Sequence, residues 1–248
     1  MKKEDYKRAR MVSLGSKGTI IKELETDSKN DSEIAYEFIR TLFKEFAKES
    51  IRFGKNKYNF IMCPHHFREK QLSSVITPIL HKICNGFVMA EIPVSRKGTE
   101  NIGWTDYWCI FKDYTIVIEI KHSRDTLDTE HINLDRTVRR WETMKGQLRN
   151  IQQEIKSYEE ETKGVIQIGL HFISSYSNQD FDKTRLNSHR DNVKNTLVRF
   201  GEKLKPDYAG CWLIPEEMAY DCNGFAFPSV LLMGKIYGPI THKGASQT

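Results

Sequence analysis

Two short, strongly apolar runs, residues 104–111 and 114–121, are separated only by Lys112-Asp113. Apolar runs of this length with so short a connector read as two neighbouring antiparallel strands, not as one helix. A two- or four-residue loop gives the same register. It sets Ile110 opposite Thr115, Trp108 opposite Val117 and Asp106 opposite Glu119. Side chains alternate faces along a strand, so Asp106 shares a face with Trp104 and Trp108, and Glu119 and Lys121 share one with Val117. Opposed residues hold their Cβ atoms about 4.5–5.5 Å apart. Two carboxylates at that distance repel, and charged groups at the ends of apolar strands are costly unless paired or bound to a metal. A divalent cation between them reverses the sign of that interaction, and Lys121 adds a positive charge at the edge of the same place.

The segment before the hairpin offers a third carboxylate. In residues 67–86, Leu72, Val75, Ile76, Ile79, Leu80 and Ile83 recur at helical spacing. Asn85-Gly86 is a stop signal, and Pro78 predicts a kink or break midway. Glu69 precedes Leu72 by three residues and Ile76 by seven, which puts it near the buried stripe and away from the face of Arg68 and Lys70. The plain reading of Glu69 is a first-turn acid favoured by the helix dipole; the other is an oxygen ligand.

Asp106, then Glu119-Ile120-Lys121 on the next strand, with Glu69 on the preceding helix, resembles the PD-(D/E)xK nuclease superfamily, the restriction-endonuclease-like fold. The resemblance covers about residues 67–175. Thr105 stands where the family has the proline of Pro-Asp. The resemblance implies an α/β protein with an αβββαβ core and a mixed central sheet flanked by helices. It implies that Asp106 and Glu119, with Glu69 as a further acid and the Ile120 carbonyl, hold Mg²⁺, with Mn²⁺ as a substitute. It implies that Lys121 orients or activates the attacking water and offsets charge at phosphorus. The implied activity is endonucleolytic hydrolysis of DNA, in preference to RNA, by a restriction-type enzyme or a bacterial defence nuclease. Physical chemistry agrees: Mg²⁺ favours oxygen donors, and a metal ion makes water a better nucleophile at neutral pH. A surface ion-pair cluster on a two-stranded ribbon is the bland alternative.

The rest of the chain sets bounds. Its 248 residues suffice for one large domain. We read residues 1–60 as an N-terminal extension with one amphipathic helix, and 61–248 as the nuclease-like domain. Residues 1–30 read as mobile. The helix that follows carries Ile34, Phe38, Ile39, Leu42, Phe43 and Phe46 on one stripe, a core pattern. Further strands are expected at 87–94, 165–174, 208–214 and 229–236, a long helix at 130–160 and another at 188–204. A net charge of +5 permits nucleic-acid binding without demanding it. Five scattered cysteines suggest reduced thiols and a cytoplasmic setting. No run has the length of a membrane span. Oligomer symmetry makes a homodimer or higher homo-oligomer the default.

Other features are weaker. Cys63-Pro64-His65-His66 lacks a second ligand pair, which argues against zinc. Arg136, Arg139, Arg140, Lys145 and Arg149 suit phosphate or a solvated helix face equally. His122 and Gln147 are minor candidates near the expected site. Rival functions are a non-catalytic nucleic-acid-binding protein on the same fold, an acid–base enzyme using Asp106 and Glu119, and a nuclease effector switched on by a partner or second messenger.

Overall fold

The computed structural model describes residues 10–15, 18–25, 33–54, 63, 66, 69–84, 87–95, 102–126, 132–151, 162–177, 183–219 and 225–240. In chain order the elements are β1 (Arg10–Ser13), β2 (Thr19–Glu25), α1 (Glu33–Gly54), α2 (Glu69–Ile83), β3 (Val88–Ser95), β4 (Ile102–Phe111) and β5 (Tyr114–Thr126). A π-helical turn (Leu134–Val138) leads into α3 (Arg139–Asn150), followed by β6 (Val165–Ser177), α4 (Lys183–Leu204), β7 (Tyr208–Leu213), a 3₁₀ turn (Glu216–Met218) and β8 (Ala226–Ile240). The strands form one mixed sheet in the order β1-β2-β7-β8-β6-β5-β4-β3. The pair β5–β6 is parallel and the remaining pairs are antiparallel. The protein is therefore α/β, and the order α2-β3-β4-β5-α3-β6 is the expected helix, three strands, helix, strand.

Helices cover both faces. On one side α1 and α2 pack on Tyr107, Cys109, Ile116, Ile118, Ile120, Leu170 and Phe172. On the other, α3 and α4 pack on Val117, Ile173, Ala209, Cys211 and Leu231. Alternate residues of β5, Ile116 and Val117 for example, thus feed opposite cores, as a strand buried on both faces must. The stripe of α1 is fully enclosed: Phe38, Ile39, Leu42, Phe43 and Phe46 have no accessible surface. Phe46 meets Phe172 at 4.7 Å and Trp212 at 6.1 Å between ring centres.

Several sequence expectations need correction. Residues 1–30 were expected to lack fixed structure, yet β1 and β2 form an antiparallel pair whose inner member pairs with β7. Their sequences alternate too little to signal strands; the edge of β7 supplies the missing template. The helix α2 passes through Pro78 undivided. Its buried stripe continues on both sides of the proline, and that packing outweighs one lost backbone bond. The helix expected at 130–160 begins as the π turn at Leu134, and α3 ends at Asn150; residues 152–161 lie outside the described residues. Asp125 decides the start. Its Oδ2 accepts from the Asn133 N–H at 3.0 Å and from Thr137 Oγ1 at 2.8 Å, tying the first turn to the end of β5.

Candidate active site

The β4–β5 hairpin turns on Lys112 and Asp113, both at positive φ (49° and 68°), the backbone of a type I′ turn. The expected register follows: Phe111 pairs with Tyr114, Ile110 with Thr115, Trp108 with Val117 and Tyr107 with Ile118. There the ladder stops, and the expected Asp106–Glu119 pair does not form. Beyond this point β5 stays paired with β6 through Thr126, while β4 stays paired with β3 to Ile102. Two strands held by different neighbours diverge. The gap between them exposes backbone groups that a continued ladder would have used.

Side chains occupy that gap. Thr105 Oγ1 donates to the Ile118 carbonyl at 3.0 Å. The Ile120 N–H donates to Asp106 Oδ2 at 2.6 Å. Lys121 reaches back along its own strand: Nζ donates to Glu119 Oε1 at 2.7 Å and to the Ile120 carbonyl at 3.0 Å. Glu69, the first residue of α2, brings Oε1 to 3.6 Å from Lys121 Nζ. Its Oε2 accepts from the His122 N–H at 3.3 Å and lies 3.7 Å from Arg140 Nη1. Arg140, at the start of α3, also donates to the His122 carbonyl. All four expected site residues, Glu69, Asp106, Glu119 and Lys121, thus gather where β4 and β5 part, with Arg140 as a second cation.

Burial sets the electrostatics. The Glu119 side chain is only 2% exposed and that of Lys121 13%. Burial holds the Asp106 carboxyl above its ordinary value; the Ile120 N–H and Lys121 oppose this, while Glu69 and Glu91 add to it. Burial pulls the Lys121 ammonium down, but Glu119, Glu69 and Asp106 together outweigh it and leave its pKa above that of an ordinary lysine. Lys121 is therefore a cation at neutral pH. It can orient a water or offset charge on phosphate.

The donor set fits a hard divalent cation. Two oxygens from adjacent residues, Glu119 Oε1 and the Ile120 carbonyl, already converge on one ammonium, and the Asp106 carboxylate lies across the strand gap. Oxygen donors of this kind are what Mg²⁺ takes, with waters completing its shell. Among the described residues no three His, Cys, Asp or Glu side chains stand in metal-ligand geometry on their own; the third donor here is a backbone carbonyl.

Some residues at the site escaped the sequence reading. Ser123 and Asp125 continue the alternation of Glu119 and Lys121 along β5, so four polar groups share one face, a signal present in the sequence. They support the site from behind. Ser123 Oγ contacts Thr137 Oγ1 at 3.1 Å and His171 Nε2 at 2.9 Å. His171 pairs with Lys121 in the β5–β6 register and stacks on Trp141. Burial first, then the charges of His122, Arg140 and Lys121, hold the His171 imidazole neutral. Glu91 gave no sequence signal: it lies between Ala90 and Ile92, which pair with Tyr107 and Thr105, has φ 53°, and its charge acts on Asp106. Of the minor candidates, His122 Nε2 lies 2.9 Å from Ser174 Oγ. Lys145 pairs with Glu142. Gln147 lies on α3, partly buried. Cys63 is buried, with its thiol pushed up to about 12, and His66 stacks on Phe227; Pro64 and His65 lie outside the described residues.

No family model, curated protein or solved structure matches this chain. Among the described residues, no helix is long and apolar enough to cross a membrane.

Proposed function

We propose that this chain is a Mg²⁺-dependent phosphodiesterase of the PD-(D/E)xK type that hydrolyses DNA. The observation that supports this most is the gathering of Asp106, Glu119, the Ile120 carbonyl, Lys121 and Glu69 at the place where β4 and β5 separate. Glu119 is nearly buried, the Asp106 carboxyl is held above its usual value, and Lys121 stays charged among three acids. Perturbed groups of this kind cluster at functional sites.

In this reading Asp106 and Glu119, with the Ile120 carbonyl, hold the metal. When bound, Mg²⁺ lowers the pKa of water and offsets the charge of the scissile phosphate. Lys121 moves from its resting bond with Glu119 to the attacking water or a phosphate oxygen, as a compact cation. Glu69 keeps Lys121 and Arg140 aligned by facing both. Arg140 is placed to take a phosphate oxygen. His171, held neutral, adds no competing charge behind Lys121. A restriction-type or defence enzyme acting as a homodimer in the cytoplasm is the biological setting we favour.

The test is cleavage of supercoiled plasmid with Mg²⁺, with EDTA, and by a Glu119→Ala/Lys121→Ala variant. Cutting that needs Mg²⁺ and disappears in the variant supports the assignment. A wild type that neither cuts DNA nor binds Mg²⁺ overturns it.

A further inference from the structure

The face of the sheet that carries the site is covered unevenly. The helix α3 packs on β5 and β6, and α4 on β7 and β8. Among the described residues, neither helix makes comparable contact with the β3–β4 ribbon. Along β4 the residues Gly103, Thr105, Tyr107, Cys109 and Phe111 are buried, while Ile102, Trp104, Asp106, Trp108 and Ile110 lie on the more open face. The large exposed apolar side chains among the described residues are all on this ribbon or next to it: Ile102 (67%), Trp104 (58%), Met89 (46%) and Phe87 (39%). Met89 pairs with Trp108, and the Phe87 ring stands edge-on to Trp108 at 5.5 Å. Asp106 therefore sits on the same face as this patch, between Trp104 and Trp108.

Such a patch marks an interaction surface, and three observations select the occupant. Glu91 and Asp106 both lie in its middle, between the paired residues Ala90–Tyr107 and Ile92–Thr105. A protein partner would bury both carboxylates at high cost, whereas a phosphodiester bridged to them by a cation compensates them. The outer strand β3 is a poor template for a second copy of this chain, because Glu91 breaks its extended backbone at φ 53° and Pro93 offers no N–H. On the α3 side Arg136, Arg139 and Arg140 are exposed, and Arg140 is held at the site by Glu69 and the His122 carbonyl. Aromatic groups beside a cationic rim match exposed bases and a phosphate chain. A duplex hides its base faces and is read through hydrogen bonds in its grooves, which this mostly apolar face does not offer.

Resting on the nuclease reading above, we propose that the β3–β4 ribbon is the substrate platform of the site and that the substrate is single-stranded or locally unpaired DNA. Bases stack on Trp104 and its apolar neighbours, and the backbone then passes over Asp106 toward Lys121 and Arg140.

The test compares binding and Mg²⁺-dependent cleavage of a labelled oligothymidylate and a blunt mixed-sequence duplex by the wild type, Trp104→Ala and Trp104→Phe. Trp104 is exposed, so neither substitution should disturb the fold. We expect the wild type to prefer the single strand. Trp104→Ala should weaken single-strand binding about tenfold, and Trp104→Phe should retain most of it. Duplex cleavage with the single strand ignored, or single-strand binding unchanged by Trp104→Ala, overturns the platform while the nuclease reading stands. A dimer that Trp104→Ala converts to monomers, with substrate preference unchanged, assigns the face to a second copy and likewise overturns it. A wild type that binds neither probe overturns the platform; if it also fails to bind Mg²⁺, the nuclease reading falls with it.

Discussion

The Ile120 N–H donates to Asp106 Oδ2 at 2.6 Å, across the point where β4 and β5 stop pairing. A carboxylate has taken the place of a ladder carbonyl. The bond fixes Asp106 beside the residues that follow Glu119, and it satisfies an N–H that the parting of the strands would leave exposed in a low-dielectric place. One contact thus serves both the fold and the site.

This relationship makes Asp106 a source of strain in the metal-free protein. Burial holds its carboxyl above the ordinary value, so the folded state binds this proton more tightly than the unfolded chain. The group's contribution is most favourable at low pH and falls as pH rises from the ordinary aspartate pKa through the raised one. At neutral pH the ionised Asp106 is destabilising. Asp106→Asn keeps an oxygen for the Ile120 N–H and removes the charge. We expect a higher Tm than wild type at neutral pH without Mg²⁺, a gain that shrinks toward about pH 4, and loss of DNA cleavage. Thermal melts across this range decide it; a lower Tm at neutral pH contradicts the argument.

Lys121 and Glu119 form a nearly buried pair at 2.7 Å. Removing the ammonium alone leaves a carboxylate at 2% exposure without its nearest cation. Lys121→Met should therefore cost on the order of 3 kcal/mol in urea unfolding without Mg²⁺. The double variant Glu119→Gln/Lys121→Met should cost less than Lys121→Met. Saturating Mg²⁺ should restore part of the loss in Lys121→Met and none in the double variant, because only the former keeps the Glu119 carboxylate. Equal losses in both variants, insensitive to Mg²⁺, would show that the pair has no role in cation binding.

Gly169 pairs with Glu119 in the β5–β6 register and lies under α3. A Cβ there would come within 2.7 Å of Met144 Cε and 2.8 Å of Leu148 Cδ1. Both are flexible side-chain ends, so Gly169→Ala should cost about 1 kcal/mol, and the branched Gly169→Val at least about 2 kcal/mol. Because α3 carries Arg140, Gly169→Val should reduce cleavage further than its stability loss explains, read as kcat well below the melting temperature. Wild-type turnover in Gly169→Val would show that the seating of α3 does not matter to the site.

The helix α1 is part of the same core as the site strands. Phe46 has no accessible surface and contacts Phe172 on β6. Phe46→Ala should cost about 3–5 kcal/mol, in a single transition by circular dichroism and tryptophan fluorescence. Two separated transitions, with only one sensitive to this substitution, would mean that α1 unfolds apart from the sheet.

Local pattern made much of this legible. A two-residue connector between alternating apolar runs fixed the hairpin register through Tyr107–Ile118, because a turn that short allows few geometries. The 3–4 spacing from Ile34 to Phe46 gave the core face of α1, and period-two alternation put Glu119 and Lys121 on one side of β5. The same alternation held Ser123 and Asp125 in plain view. What the sequence could not hold was anything decided by a distant partner. The parting of β4 and β5 follows from β6 holding one strand and β3 the other. Glu69 meets the site across 53 residues of chain because α2 packs on β3 and β5. Glu91 interrupts the β3–β4 pairing beside Asp106 with a left-handed backbone that nothing near it announces. The sheet position of β1 and β2 depends on the free edge of β7. Periodicity specifies which face of an element is apolar; only the packed chain decides what that face meets.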